Sequence, residues 1–120
     1  MHRSHVSTGT PWETAVGYSR AIRHGATIAV SGTTAPGADA YEQTRNALAT
    51  IARAIAELGG NIDDVIRTRI YVVNISDWEA IGRAHAEVFS KVKPAATMVE
   101  VSRLISPECL VEIEVDAIVG

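Results

Sequence analysis

Between Leu110 and Val119 the chain alternates apolar and acidic residues. Val111, Ile113, Val115 and Ala117 fall on one parity, Glu112, Glu114 and Asp116 on the other. Successive side chains of a strand point to opposite faces. The segment is therefore a strand with one face in a core and one face acidic, and something must cover its apolar side.

The cover is readable from the 3.6-residue period. Tyr41, Thr44, Leu48, Ile51, Ile55 and Leu58 recur at steps of three and four, one stripe of a helix from Ala40 to Leu58. Asp39 and Glu42 form a capping-box pattern at its start, and Gly59-Gly60 stops it. Ser76 with Glu79 marks a second helix running to Phe89, with Trp78, Ile81, His85 and Val88 on its inner stripe.

Strands fill the rest. His24-Gly25 is a turn between Tyr18–Arg23 and Thr27–Ser31. Val65–Val73 places Ile66, Thr68, Ile70 and Val72 on one face and Arg67, Arg69 and Tyr71 on the other. Thr97–Leu104 follows Pro94. The predicted order is β-β-α-β-α-β-β, an α+β design with one mixed sheet and two helices on one face. The chain of 120 residues makes one domain, residues 1–120, with residues 1–14 a loose lead-in. The bare sheet face carries Arg67, Arg69, Glu112, Glu114 and Asp116. Such a mixed-charge face is either solvated or packed against another subunit.

Composition excludes some functions. Eleven Lys and Arg against fourteen Asp and Glu give a net charge of −3, which counts against binding nucleic acid through its phosphates or a membrane through a basic patch. Cys109 is the single cysteine, so no internal disulfide forms, and the polar N-terminal stretch has no apolar core of a signal peptide. The expected location is the cytoplasm. Phosphate loops and dinucleotide fingerprints are absent, and no His, Cys, Asp and Glu cluster has metal-ligand spacing. The chain is expected to need neither cofactor nor metal.

The residues alone mark no self-evident active site. Glu112 and Glu114 stand roughly 7 Å apart on one strand face, a spacing that suits acid–base work or ion pairs with arginine. His85 reads as a core or interface histidine, or as a pocket base. Cys109 lies in a turn with no activating base beside it.

Six segments taken together are more specific. They are Val16-Gly17-Tyr18-Ser19-Arg20-Ala21, Val30-Ser31-Gly32, Gln43-Thr44-Arg45-Asn46-Ala47-Leu48, Asp64-Val65-Ile66-Arg67-Thr68, Pro94-Ala95-Ala96-Thr97-Met98-Val99-Glu100-Val101 and Leu110-Val111-Glu112-Ile113-Glu114-Val115. In this order they resemble the RidA/YjgF family of reactive-intermediate deaminases. The resemblance implies a chorismate-mutase-like fold and a homotrimer whose sheets close into a central barrel, with Arg67, Arg69, Glu114 and Asp116 pointing inward. It implies a small-molecule pocket between subunits. Tyr18, Ser31, Gly32, Thr97, Met98 and Glu112 would hold pocket positions there, Glu112 positioning water.

The chain departs from the family where active deaminases carry an arginine that clamps a substrate carboxylate. Ala96 stands in its place, which puts the chain closer to an arginine-lacking branch. A guanidinium grips a carboxylate through two charge-assisted hydrogen bonds, each worth roughly 1.5–3 kcal/mol, and alanine supplies neither. Arg20 is a conceivable substitute donor, and Trp12 and His85 are candidate pocket residues of such a branch. Three functions follow as expectations: hydrolysis of a small imine or enamine through Glu112, a non-catalytic trimer that holds a small ligand or partner, and an endoribonuclease, which the acidic balance disfavours.

Overall fold

The computed structural model describes residues 2–120. Nine elements follow in the order β1 (Arg3–Val6), α1 (Pro11–Val16), β2 (Ala21–His24), β3 (Thr27–Thr33), α2 (Ala40–Glu57), β4 (Val65–Val72), α3 (Trp78–Phe89), β5 (Ala95–Glu100) and β6 (Val111–Ile118). From β2 onward this is the β-β-α-β-α-β-β order that the sequence predicts. The strands form one mixed sheet in the order β1-β2-β3-β6-β4-β5, and β4 with β5 is its parallel pair.

The last strand in sequence sits in the middle of the sheet, between β3 and β4, with its apolar parity turned to the helices. Val111, Ile113, Val115 and Ala117 are fully buried. They pack with Ile28, Val30, Ile70 and Val72 under Leu48, Ile51 and Ile55 of α2, and with Ile81 and Phe89 of α3. Asp39 caps α2 by accepting from the Glu42 N–H at 2.9 Å, half of the capping box its spacing predicts.

Five expectations need correction. The lead-in is structured: β1 pairs with β2 from Arg3↔His24 to Val6↔Ala21, and α1 follows. Ile66 does not join the core face. A bulge between Val65 and Arg67 makes it the extra residue and turns it out to solvent. Ser76 and Glu79 form no capping box. A 3₁₀ turn at Ile75–Asp77 leads into α3, and the Asn74 side chain caps that turn by accepting from Ser76 N–H. Trp78, placed on the inner stripe by its period, is exposed. The Thr97–Leu104 strand is instead Ala95–Glu100, since the chain leaves the sheet after Val101 N–H donates to Val72 O.

The order of the N-terminal segment comes from one carboxylate. Glu13 is 6% exposed. It accepts from Ser7 Oγ, from Thr8 N–H and Oγ1, and from Thr10 N–H and Oγ1, at 2.8–3.3 Å. Burial alone would raise its pKa, but the hydrogen bonds from Thr8, Ser7 and Thr10 outweigh burial and hold it at about 2. A carboxyl with a depressed pKa adds stability above its unfolded value, and that stability is lost as pH falls through the folded value. Glu13→Gln is expected to cost about 2 kcal/mol at pH 7, since hydrogen bonds to a charged group are the strong ones. The difference should shrink as pH falls below about 4 toward 2. Urea unfolding at pH 7 and pH 3 measures this, and equal stability at pH 7 contradicts it. No described helix is long and apolar enough to cross a membrane.

Candidate functional site

A one-residue insertion in β3 builds the site. Val30 pairs with Val115 but Thr33 pairs with Ile113, so β3 carries one more residue than β6 over this stretch. The extra length falls at Ser31-Gly32, and bulges of this kind re-aim groups beside a site. A side chain at Gly32 would push the Glu112 carboxyl aside. A Cβ on Gly32 would lie 2.9 Å from Glu112 Cδ and would overlap Oε2. The carboxyl of Glu112 thus rests against bare backbone.

That backbone floors a groove of about 540 Å³. Tyr18, Arg20, Ser31, Thr33, Glu112 and Glu114 supply its polar lining, and Trp12, Val16 and Ile105 form an apolar wall. Arg20 is 5% exposed. Its Nη1 donates to Gly32 O at 2.6 Å and to Thr33 Oγ1 at 3.0 Å, and Nη2 reaches Tyr18 Oη at 3.4 Å. Ser31 Oγ donates to Ser19 O at 2.7 Å, and Thr33 Oγ1 to Ser31 O at 2.8 Å. These bonds fix the bulge and the guanidinium as one unit.

Burial pushes the Glu112 carboxyl above the usual carboxylate range. Arg20 pulls it back down, and the neighbouring Glu114 adds to the rise. Glu114 itself is engaged elsewhere. It accepts from Tyr71 Oη at 2.6 Å and lies 3.8 Å from Arg69 Nη1, which donates to Asp116 at 3.0 Å. Arg67 stands opposite Asp116 in register. The bare sheet face is therefore a ladder of cross-strand charges, with Glu112 left out of its ion pairs.

The other candidates fall in two further places. His85 lies on the helix side of the sheet, with Nε2 2.9 Å from Thr68 Oγ1 and its ring 4.6 Å from that of Phe89. Burial holds its pKa below the usual histidine range, and the structure does not bring it to the groove. Ala96, Thr97 and Met98 sit on β5, separated from β6 by β4. Within one copy they do not reach Glu112 either. Among the described residues no group of three or more His, Cys, Asp and Glu gathers as a metal site.

Sequence reasoning named Trp12 as a candidate pocket residue but missed the helix and wall it stands in. The clue was Thr10-Pro11 ahead of Glu13, a helix-start pattern in a segment with few apolar residues.

The family model for Endoribonuclease L-PSP matches residues 8–119. The chain belongs to the RidA/YjgF family. A member of this family from Mycobacterium tuberculosis, described as YjgF/YER057c/UK114, has a crystal structure that superposes with a TM-score of 0.97. It is 51% identical and covers 98% of this chain and 100% of its own. An uncharacterised protein of Streptomyces coelicolor is 42% identical over 122 residues, 96% of this chain and 91% of its own. The 3-aminoacrylate deaminase RutC of Acinetobacter baylyi is 37% identical over 75 residues, 62% of this chain and 59% of its own. RidA/YjgF membership agrees with the six segments that carry the resemblance, and the match begins at Thr8, inside the Ser7–Thr10 loop that Glu13 ties down.

Proposed function

We propose that the protein hydrolyses a small imine- or enamine-type metabolite in this groove, with Glu112 as the acid–base group, in a homotrimer whose sites lie between copies. The observation that supports this most is the setting of Glu112. Its carboxyl is half-buried on the bulged Gly32 backbone, beside Arg20 and outside the ion-pair ladder. Hydrolysis of an imine consumes one water and releases ammonia and a carbonyl compound. A proton must reach the nitrogen while water loses one on attacking the carbon. A carboxyl whose pKa is raised toward neutrality serves both transfers.

The trimer accounts for the distance to β5. That edge strand exposes Ala95, Ala96, Thr97 and Val99 and carries no lysine or arginine, so little protects it from pairing. Set against the groove of the next copy, it would bring Ala96, Thr97 and Met98 to Glu112. Sedimentation should find a three-chain species, and a monomer at working concentration counts against the intersubunit site.

The direct test generates 2-iminopropionate and bulkier imino acids in situ and follows their decay. Native protein is expected to accelerate the bulkier imines more than 2-iminopropionate. Ala96→Arg should gain on 2-iminopropionate by about tenfold or more, since one charge-assisted bond is worth that much. If neither form accelerates any imine, the catalytic reading fails and a non-catalytic ligand-binding trimer takes its place.

A further inference from the structure

We propose that Arg20 is a positioning residue for Glu112: it fixes the backbone on which that carboxyl rests, and its charge lets the carboxyl cycle between neutral and ionised forms. This deepens the reading of Glu112 as the acid–base group and rests on it. The two side chains meet at Gly32. Arg20 Nη1 donates to Gly32 O at 2.6 Å and to Thr33 Oγ1 at 3.0 Å. The Glu112 carboxyl fills the space that a Cβ on the same Gly32 would take. The extra residue of β3 is thus held by a guanidinium and covered by a carboxyl.

Arg20 keeps its charge without a close counter-ion. Among the described residues the ion pairs within 4.0 Å are Arg45–Glu87, Arg69–Glu114 and Arg69–Asp116. Arg20 is in none of them, although it is 5% exposed. Arg23, three residues on, shows the contrast. It donates to Leu58 O at 2.7 Å, at the C-terminal end of α2, and the negative end of that helix dipole answers its charge. The partners of Arg20 are neutral: Gly32, Thr33 and Tyr18. Its field is weakly screened because it is buried, and Glu112 is the carboxyl beside it that no other cation pairs.

The remaining groups around Glu112 do not supply that charge. On β6 its neighbour is Glu114, which adds a like charge. Across the ladder on β4 stands Tyr71, whose hydroxyl is spent on Glu114, and Arg69 is held by Glu114 and Asp116. β3 brings Ser31, Gly32 and Thr33, none of them charged. The acid of the N-terminal segment, Glu13, is turned into its own loop. The stretch of β5 proposed to close the groove from a second copy, Ala96-Thr97-Met98, has no titratable side chain. Burial and Glu114 both favour the neutral carboxyl, and Arg20 opposes them. Imine hydrolysis needs a proton given to nitrogen and one taken from water. Without the guanidinium, Glu112 would hold its proton and serve only the first transfer.

The test follows the Glu112 carboxyl by carbon NMR through a pH titration of full-length protein, the signal being assigned by its loss in Glu112→Gln. In the native protein the Arg20 side-chain N–H signals are expected to move with the Glu112 midpoint. Signals that ignore this midpoint overturn the proposal without recourse to any variant. Arg20→Met should tighten proton binding at Glu112 about tenfold, the low end for loss of a nearby opposite charge, and move the acid limb of kcat/KM to higher pH by the same factor. Arg20→Lys should restore part of both. Thr33→Val removes one hydrogen bond of the guanidinium but not its charge, and should leave the Glu112 midpoint in place. An unmoved midpoint in folded Arg20→Met overturns the proposal. So does a shift in Thr33→Val or Arg20→Lys as large as in Arg20→Met, which would make the effect one of structure alone. Imine hydrolysis with an unmoved acid limb leaves the proposed reaction standing and removes Arg20 from it. A moved Glu112 midpoint without hydrolysis keeps the coupling to Arg20 and removes the reaction.

Discussion

Glu112→Gln is expected to lower kcat/KM for imine hydrolysis by about 10²–10⁴-fold, the usual worth of a positioned acid–base group. Glutamine keeps the size and the contact with Gly32 but can neither donate nor accept the proton. The same substitution should not weaken the fold. Burial raises the Glu112 pKa, so the stability linked to this carboxyl is fully present below its unfolded pKa. It is lost as pH rises through the folded pKa. At neutral and alkaline pH the buried charge is a net cost, and glutamine removes it. Glu112→Gln is therefore expected to match or exceed the native protein in urea resistance at pH 8 while losing activity. Native kcat/KM in this variant removes Glu112 from the chemistry. A loss of activity accompanied by a large loss of stability assigns it a structural part instead.

The second large effect lies directly beneath. Ile113→Ala is expected to cost about 2–5 kcal/mol, as for other fully buried aliphatic truncations. Ile113 is wholly buried on the central strand, between Thr33 of β3 and Ile70 of β4. The surrounding side chains belong to three strands and two helices, so the vacated space closes poorly. For a chain of this length, at about 4 °C per kcal/mol, that corresponds to a melting point lower by roughly 8–20 °C. Because Glu112 and Glu114 flank it on the other face, the loss should also loosen both carboxylates. Calorimetric melting checks the first effect. A shift under about 2 °C would mean that the core collapses around the site.

Glu112, Gly32, Ser31, Tyr18 and Trp12, all named from sequence, converge on one groove. Ala96, Thr97 and Met98 do not, because β4 separates their strand from β6 in the sheet, and the order of strands across a sheet is not written in their local pattern. His85 went to the helix side for the reason its apolar stripe suggests. The architecture was legible wherever hydrophobic period was strong, in β6 and α2. It was illegible where order comes from polar contacts. Residues 2–14 contain few apolar side chains, and their structure depends on five donors around Glu13. Ile66 shows a different limit. Alternation assumes an unbroken ladder, and a bulge shifts parity without leaving a mark in composition.

The Glu13 staple has a consequence for how such a protein can diversify. The segment it organises carries Trp12 and Val16, one wall of the groove, yet it contributes only Val6 to the buried hydrophobic cluster. Substitutions in that wall are thus largely uncoupled from the packing under α2 and α3. A lineage built on this scaffold can widen, narrow or repolarise its binding surface by drift in a dozen N-terminal residues. The sheet, with its fixed carboxyl and guanidinium, passes unchanged from one specificity to the next.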